Sequence, residues 1–471
     1  MIKHNEIVDI EAGNPFGKCQ LDRKKYADVL TNIVSTYADG FVLAINNKWG
    51  TGKTTFIRMW ERDLKDKGFK TVLFNAWEND FENNALTALM GELKTLTKKD
   101  EVNPNFENAL KNAAIFTKNL APVLVKAVVK KYVGESFEDL SDGVAKSIGD
   151  IFEKDVNEYA DKKKSIKEFR DSLSKFIADT WDEKPVVFII DELDRCRPDY
   201  AVSILEQIKH FFSIPNIVFV LSIDKEQLGH AVRGVYGSEF IDADEYLRRF
   251  IDIEYSIPEP DVDKYVEYLY GYYRFKDFLD SEFRMKTHEL SYDSTAFIKT
   301  AKILIKNRNV ILRQQEKIFA HSRLGLKLFE KNNYVFPSLF FYLNYIKILD
   351  NDLYIKIKGK ELSIEKLQER FIESINYKYI EEDNRHLIIL EVHLVYYYNN
   401  YISKNSIKKQ LYGRELDDSN NKLLITSKTD NINGHGEFLK ILEVISNNYN
   451  ANDAGIDFLL SKIDLLENIK E

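Results

Sequence analysis

The hydrophobic pattern of the chain changes at about residue 260. Before that point, short runs of β-branched and aromatic residues alternate with segments whose apolar residues recur at helical spacing. Runs that are apolar throughout are typical of strands buried on both faces of a parallel sheet. Strands alternating with helices predict a doubly wound, mainly parallel α/β sheet. The predicted strands are 41–46, 71–75, 186–190, 217–222 and 251–255.

From Asp261 onward the glycines become rarer and the pattern turns helical, with many Tyr, Ile, Lys and Asn residues. The polar segment 420–436 is the exception, and we predict that it is a loop. This organisation predicts a P-loop-type core (1–78 and 182–260), a helical insertion (79–181), a helical lid (261–326) and a helical C-terminal domain (327–471).

Length, composition and charge favour a soluble protein of more than one domain. The chain has 471 residues, of which 44% are hydrophobic and 30% are charged, as in a soluble protein of two or three domains. Its net charge of −8 disfavours nucleic acid or an acidic membrane as a ligand of the whole molecule, although a local basic patch stays open. Two cysteines provide neither a disulfide framework nor a metal cluster, so we expect a cytoplasmic location.

The segment 113–133 is the candidate for contact with a membrane. Its apolar residues are interrupted by Lys118 and Lys126, so no run reaches the ~20 residues that span a bilayer. We therefore expect an amphipathic helix that covers protein, and no stable membrane insertion.

A glycine-rich turn stands between the first predicted strand and the helix after it. Its sequence over residues 47–55 is Asn-Lys-Trp-Gly-Thr-Gly-Lys-Thr-Thr. Backbone N–H groups of such a turn, with the positive end of the helix dipole, make a phosphate cradle. Lys53 would reach the β- and γ-phosphates, and the Thr54 hydroxyl would bind Mg²⁺. We assign nucleotide binding to Asn47, Trp49, Gly50, Thr51, Gly52, Lys53, Thr54 and Thr55.

One position of this turn departs from the usual pattern G-x-x-x-x-G-K-[ST]. Asn47 stands where the pattern has its first glycine. Asn tolerates a left-handed backbone better than most residues do, so we expect the turn to form.

An acidic pair follows the predicted strand 186–190. Asp191 would hold Mg²⁺ through its water shell, and Glu192 would accept a proton from the water that attacks the γ-phosphate. The alternative is a buried strand that ends in a solvated acidic turn. The preceding phosphate turn favours the nucleotide site, because ligands of open α/β sheets bind at the carboxyl ends of the strands.

Four segments carry a resemblance to a known family. They are Asn-Lys-Trp-Gly-Thr-Gly-Lys-Thr-Thr-Phe (47–56), Phe-Asn-Ala-Trp-Glu (74–78), Ile-Asp-Glu-Leu-Asp-Arg-Cys (190–196) and Tyr-Leu-Arg-Arg-Phe-Ile (246–251). Over about residues 15–325 the chain resembles the KAP family of P-loop NTPases, as a soluble bacterial-type member. The strand between the two nucleotide motifs, with Glu192 beside Asp191, resembles the branch of P-loop proteins whose sheet order is 5-1-4-3-2.

The resemblance implies ATP as the nucleotide and AAA+/STAND-like behaviour, in which nucleotide state controls assembly. It also places arginines that act on a neighbouring subunit just before the last strand, where Arg248 and Arg249 stand, without distinguishing between them. Arg195 follows the acidic pair closely and could reach a γ-phosphate in its own or a neighbouring subunit. A salt bridge with Asp194 or Glu192 is the equally favoured alternative.

We therefore expect an Mg²⁺-dependent ATPase that acts as a nucleotide-gated homo-oligomeric switch. Proteins of the resembled family are often associated with defence against phages and plasmids, so an effector or sensor protein is the expected partner. Two alternatives stay open. One is an ATPase motor stimulated by nucleic acid, and the other is a scaffold that binds nucleotide and turns it over slowly.

Overall fold

The computed structural model describes most of the chain, in thirteen segments. They are 10–36, 40–81, 84–97, 103–115, 142–180, 184–209, 214–237, 240–377, 381–403, 409–414, 421–430, 436–448 and 455–465. The chain divides into two compact units, residues 5–259 and the residues from 260 onward.

The first unit is built on a parallel sheet of five strands. The strands are β1 (Val42–Asn46), β2 (Thr71–Asn75), β3 (Val186–Asp191), β4 (Ile217–Ile223) and β5 (Ile253–Tyr255). Their order across the sheet is β2-β3-β4-β1-β5, and each neighbouring pair is parallel. The predicted order 5-1-4-3-2 is confirmed, since it is the same sequence of strands named from the opposite edge.

Both faces of the central strands are buried. Successive side chains of a strand point to opposite faces, so Phe188 and Phe219 pack on one face while Val187 and Val218 pack on the other. Each face has its own hydrophobic core formed with the flanking helices. Burial on both sides is the reason that these strands are apolar throughout rather than alternating.

Helices connect the strands of the first unit. Over the described residues they are α1 (Lys24–Thr36), α2 (Lys53–Asp66), α3 (Ala85–Leu93), α4 (104–115), α5 (Asp142–Thr180), α6 (Pro198–Lys209), α7 (Lys225–Tyr236) and α8 (Ala243–Arg248). The described part of the predicted insertion is mainly helical. Residues 116–133 of the membrane candidate lie outside the described residues. In the part of the chain that the structure covers, every helix is too short or too polar to cross a bilayer.

The second unit is mainly helical. Its helices are α9 (Val262–Tyr272), α10 (Lys276–Leu279), α11 (Glu282–Lys286), α12 (Asp293–Arg308), α13 (Leu312–Leu326), α14 (Pro337–Leu349), α15 (Asn351–Lys358), α16 (Ile364–Ile375), α17 (Glu381–Ser403), α18 (Gly436–Asn448) and α19 (Ile456–Ile463). Helices α12 and α13 both pack against α14. The division of this region into a lid and a C-terminal domain at residue 326 stays a prediction.

The prediction of a loop over 420–436 is wrong for residues 421–423, and residues 420 and 431–435 lie outside the described residues. A strand β7 (Asn421–Leu423) pairs antiparallel with β6 (Tyr412–Arg414). Ser427 and Thr429 are buried, and their hydroxyls donate to the carboxylate of Glu391 at 2.8 and 2.6 Å. Polar residues of this segment therefore donate hydrogen bonds to a buried carboxylate.

Candidate functional site

The carboxyl ends of four strands meet at one edge of the sheet. The register pairs Asn75 of β2 with Asp191 of β3, and Asp191 with Ser222 of β4. Asn46, the last residue of β1, pairs with Ile223. Because the strands are parallel, the turn after β1 and the acidic pair after β3 open at this same edge, as the sequence predicts.

The turn between β1 and α2 depends on two glycines. Gly50 and Gly52 both have φ of 78°, in the left-handed region that a residue with a Cβ seldom adopts. Gly52 is the residue directly before the first turn of α2, and it leads into Lys53. The turn thus delivers the chain to a helix N-terminus, where unpaired N–H groups and the helix dipole favour an anion.

Asn47 stabilises the turn in a way that the sequence pattern does not predict. Its φ is not positive, so the expected use of Asn in a left-handed position is wrong. Its side-chain amide instead donates to the carbonyl oxygen of Ile257 at 2.8 Å and accepts from the Ile257 N–H at 2.9 Å. A glycine could make neither bond. The asparagine therefore ties the start of the turn to the segment after β5.

Lys53 places a buried cation inside the turn. Its side chain is 8% exposed, and its ammonium donates to the carbonyl oxygens of Asn47 and Lys48. Burial lowers the pKa of Lys53, while the nearby carboxylates of Asp194 and Asp224 act in the opposite direction. An ammonium whose hydrogen bonds go to carbonyl oxygens can exchange them for the oxygens of a phosphate.

The acidic pair at the end of β3 consists of two carboxylates, Asp191 and Glu192, in different surroundings. Asp191 is 4% exposed, and burial raises its pKa. Glu192 has φ of 61°, an unfavourable conformation for a residue other than glycine, which costs of order 1–3 kcal/mol. This backbone conformation accompanies a side-chain position in which Oε1 lies 3.4 Å from the Thr54 hydroxyl. The structure thus brings Thr54 of the turn next to the acidic pair.

The carboxylate of Glu192 forms an ion pair with Arg195 and accepts a hydrogen bond from Asn75. The Arg195 guanidinium lies 2.7 Å from Oε1, so of the two salt bridges considered from the sequence, this structure contains the one with Glu192. The Asn75 amide donates to Oε2 at 3.4 Å. The sequence analysis did not identify Asn75, although a polar residue at the end of β2, beside the acidic strand, was a usable signal.

Trp49 connects three loops of the site. Its indole N–H donates to the carboxylate of Asp194, and its backbone N–H donates to Oδ2 of Asp224 at 3.1 Å. Asp224 also caps α7 through the N–H of Gln227 at 3.4 Å. Both aspartates are buried, and burial raises the pKa of Asp194. The large residue in the turn therefore joins it to the loops after β3 and β4.

The other predicted residues lie further from these contacts. The Thr51 hydroxyl donates to the Lys48 carbonyl at 2.8 Å, and Thr55 is exposed on α2. Arg248 and Arg249 are exposed at the C-terminal end of α8, where Arg248 lies 3.6 Å from Glu245. Their roles stay predictions.

The donor set at this edge fits a magnesium ion that is held jointly with phosphate. Mg²⁺ prefers oxygen ligands and usually takes only one or two from the protein, completing its shell with water and phosphate oxygens. Thr54 and Asp191 offer a hydroxyl and a carboxylate of this kind. Within the described segments, no three His, Cys, Asp or Glu residues form a group that could hold a metal by themselves.

Proteins similar to this chain include one family and several solved structures. The family described as the KAP family P-loop domain matches residues 23–331. A structure of Drosophila ORC bound to DNA has 11% identity, covers 97% of this chain and 87% of its own, and has a TM-score of 0.35. The Aeropyrum pernix ORC2 protein, in ADPNP-ADP complexes, has 11% identity, covers 90% and 94%, and has a TM-score of 0.30. No curated protein matches the chain.

Proposed function

This chain belongs to the KAP family of P-loop domains, and we propose that it is an Mg²⁺-dependent ATPase whose nucleotide state controls its assembly. The observation that carries the proposal is the 3.4 Å approach of the Thr54 hydroxyl to Glu192. It joins the glycine-rich turn to the acidic pair, which are more than a hundred residues apart in the sequence. A hydrolytic site needs both, since one binds the triphosphate and the other orients water.

Each residue then has a defined task. Lys53 neutralises charge on the β- and γ-phosphates, and its buried position makes that attraction stronger than it would be in water. Thr54 and Asp191 would hold Mg²⁺, which when bound neutralises charge on the phosphate oxygens. Glu192 accepts the proton of the attacking water.

Arg195 completes the proposed site by changing partners. Its guanidinium now pairs with Glu192, and a bound γ-phosphate is a stronger competitor for it because phosphate offers more negative charge. Its transfer would free Glu192 to bind water and would place a cation on the phosphate. Arg248 or Arg249 would supply a further cation from a neighbouring copy, and their exposure at the end of α8 supports this role.

We further propose that the assembly is a homo-oligomeric switch that acts through an effector or sensor protein in defence against phages and plasmids, in the cytoplasm. Membership of the family supports the switch, because nucleotide-dependent assembly is the behaviour that the resemblance implies. The defence role depends on the association of the family alone.

One observation favours a second candidate function, a scaffold that holds nucleotide and turns it over slowly. Both carboxylate oxygens of Glu192 already have partners, in Arg195 and Asn75. A general base engaged in this way is unavailable to water, so hydrolysis would be slow wherever the ion pair persists.

The experiment that separates these functions measures ATP turnover and assembly size on the purified chain, with and without DNA or RNA. Turnover together with an ATP-dependent increase in size on gel filtration would support the switch. Tight retention of ATP with negligible hydrolysis would support the scaffold. Strong stimulation by nucleic acid would instead indicate a motor, and failure to bind ATP would refute the proposal.

A further inference from the structure

A buried arginine lies behind the phosphate turn. Arg23 stands directly before α1 and is 4% exposed. Its guanidinium donates to the carbonyl oxygen of Thr51 at 2.7 Å and to that of Gly52 at 3.0 Å. The planar fork of a guanidinium is suited to holding two neighbouring acceptors at once.

These two bonds help to fix the direction of two N–H groups, together with the bond that the Gly52 carbonyl accepts from the Phe56 N–H at 3.1 Å. In a trans peptide, the carbonyl of one residue and the N–H of the next point in opposite directions across the peptide plane. When Arg23 holds the carbonyls of Thr51 and Gly52, the N–H groups of Gly52 and Lys53 must point away from Arg23. These are donors at the turn and helix start, where the proposed phosphate would lie.

The arginine is attached to a rigid support. Helix α1 packs against α2, where the Trp60 indole donates to the buried Thr31 hydroxyl at 3.0 Å. Lys24, the next residue after Arg23, lies 3.0 Å from Asp63 of α2. Because Arg23 directly precedes α1, Gly52 directly precedes α2 and these two helices pack together, the guanidinium is held in place before any ligand arrives.

From this geometry we infer that Arg23 is a positioning residue for phosphate binding, which orients the N–H groups of Gly52 and Lys53 before the nucleotide binds. The inference rests on the proposed function of this site. The same amides would serve the phosphates shared by ADP and ATP, so Arg23 acts on the binding of both nucleotides.

The test compares R23Q, R23K and the neighbouring control K24Q. R23Q is expected to weaken ADP and ATP binding by the same factor, about 10- to 100-fold, because the donors lose their fixed direction. Saturating ATP should restore most of the turnover, so KM changes far more than kcat. R23K keeps the charge without the fork and should be intermediate. K24Q loses the ion pair to Asp63 and should keep the affinity of the wild type.

Amide hydrogen exchange without nucleotide provides a readout that does not depend on binding. Exchange over residues 50–53 should rise in R23Q and stay unchanged in K24Q. Wild-type affinity and exchange in folded R23Q would overturn the inference. Equal losses of nucleotide affinity in R23Q and K24Q, in proportion to their lower melting temperatures, would overturn it as well. If R23Q does not fold, R23K decides by the same two measurements. A wild-type chain that binds no nucleotide would refute the proposed function. The exchange result would still show whether Arg23 orders the N–H groups of residues 50–53.

Discussion

Buried carboxylates occur in two regions of the molecule, and their hydrogen-bonding surroundings differ. At the sheet edge of the first unit, Asp191 and Asp194 are buried, and burial raises the pKa of both. In the second unit Glu391 is fully buried, with 0% exposure, and is surrounded by donors. The donors lie between 2.6 and 3.0 Å away and are the side chains of Gln368, Ser427 and Thr429 and the backbone N–H groups of Lys428 and Thr429.

This difference distinguishes a carboxylate that stabilises the fold from carboxylates that are placed to bind a ligand. A buried carboxylate that has its full set of donors stabilises the segment that supplies them. Glu391 does this for residues 427–429, which belong to the segment that the sequence predicted to be a loop. The carboxylates at the sheet edge also have donors, the Glu192 N–H at 3.0 Å for Asp191 and the Trp49 indole for Asp194. These donors do not offset burial, which raises the pKa of both groups, so a cation or ligand would relieve their burial. Four predictions test this comparison.

The largest effect is expected from Glu192→Gln. The amide keeps the shape of the side chain but cannot accept a proton from water. We expect a fall in kcat of about 10²–10³ with ATP binding retained. Steady-state turnover and equilibrium binding measure the two quantities separately. Turnover at the rate of the wild type would remove Glu192 from its proposed role.

Arg195→Ala distinguishes a phosphate-binding arginine from one that only restrains Glu192. We expect turnover to fall by roughly 10²-fold, because an arginine that stabilises charge on the transferred group is lost. Arg197→Ala is the matched control, since Arg197 is two residues away and pairs instead with Asp80 at 2.9 Å. An increase in turnover in Arg195→Ala would show that the ion pair acts as a brake and would favour the scaffold.

Glu391→Gln tests the structural side of the comparison. One carboxylate oxygen becomes an NH₂ group facing buried donors, so we expect a loss of about 2 kcal/mol in the free energy of unfolding. Nucleotide affinity should not change. Chemical denaturation measures the loss, with Glu369→Gln, an exposed carboxylate on α16, as the control. Full stability in Glu391→Gln would contradict the structural role.

Asp191→Asn should have the smallest effect, and it should be stabilising. Because burial raises the pKa of Asp191, the folded state binds the proton more tightly than the unfolded state does, so this carboxylate lowers stability as pH rises above its ordinary value of 3.8. Removing the charge should raise stability without nucleotide by about 1 kcal/mol at neutral pH. The gain should shrink as pH falls towards 3.8 and vanish below it, because a protonated Asp191 has no charge to bury.

Thermal unfolding as a function of pH measures this gain, and the exposed Asp171→Asn on α5 is its control. A loss of stability in Asp191→Asn at neutral pH would place Asp191 with Glu391, among the structural charges.

Patterns along the chain were sufficient to predict the sheet. The five strands are short apolar runs, and their order follows from the resemblance to a branch of P-loop proteins, so the edge that holds Lys53 and Asp191 could be predicted. The finer contacts could not. Arg23 acts through partners that are distant in the sequence, and no local pattern records them. The position of Asn75 at the end of β2 was a signal for the site, but its bond to Glu192 could not be predicted. For Asn47, the sequence indicates that the residue can be accommodated in the turn, but it does not predict the two hydrogen bonds to Ile257.

The segment around Ser427 is a loop, as predicted, but its polar residues Ser427 and Thr429 are buried. Polarity normally indicates exposure, and here it reflects a buried acceptor elsewhere in the chain. Hydrophobic patterning cannot distinguish a polar residue that faces water from one that faces a buried carboxylate.

The central claim is that the turn around Lys53 binds nucleoside triphosphate, and calorimetric titration of ATP with Mg²⁺ into the wild type and Lys53→Ala tests it most directly. We predict saturable binding by the wild type and none that is measurable in a folded Lys53→Ala, because the buried cation of the cradle is gone. Equal affinity in the two proteins would contradict the account.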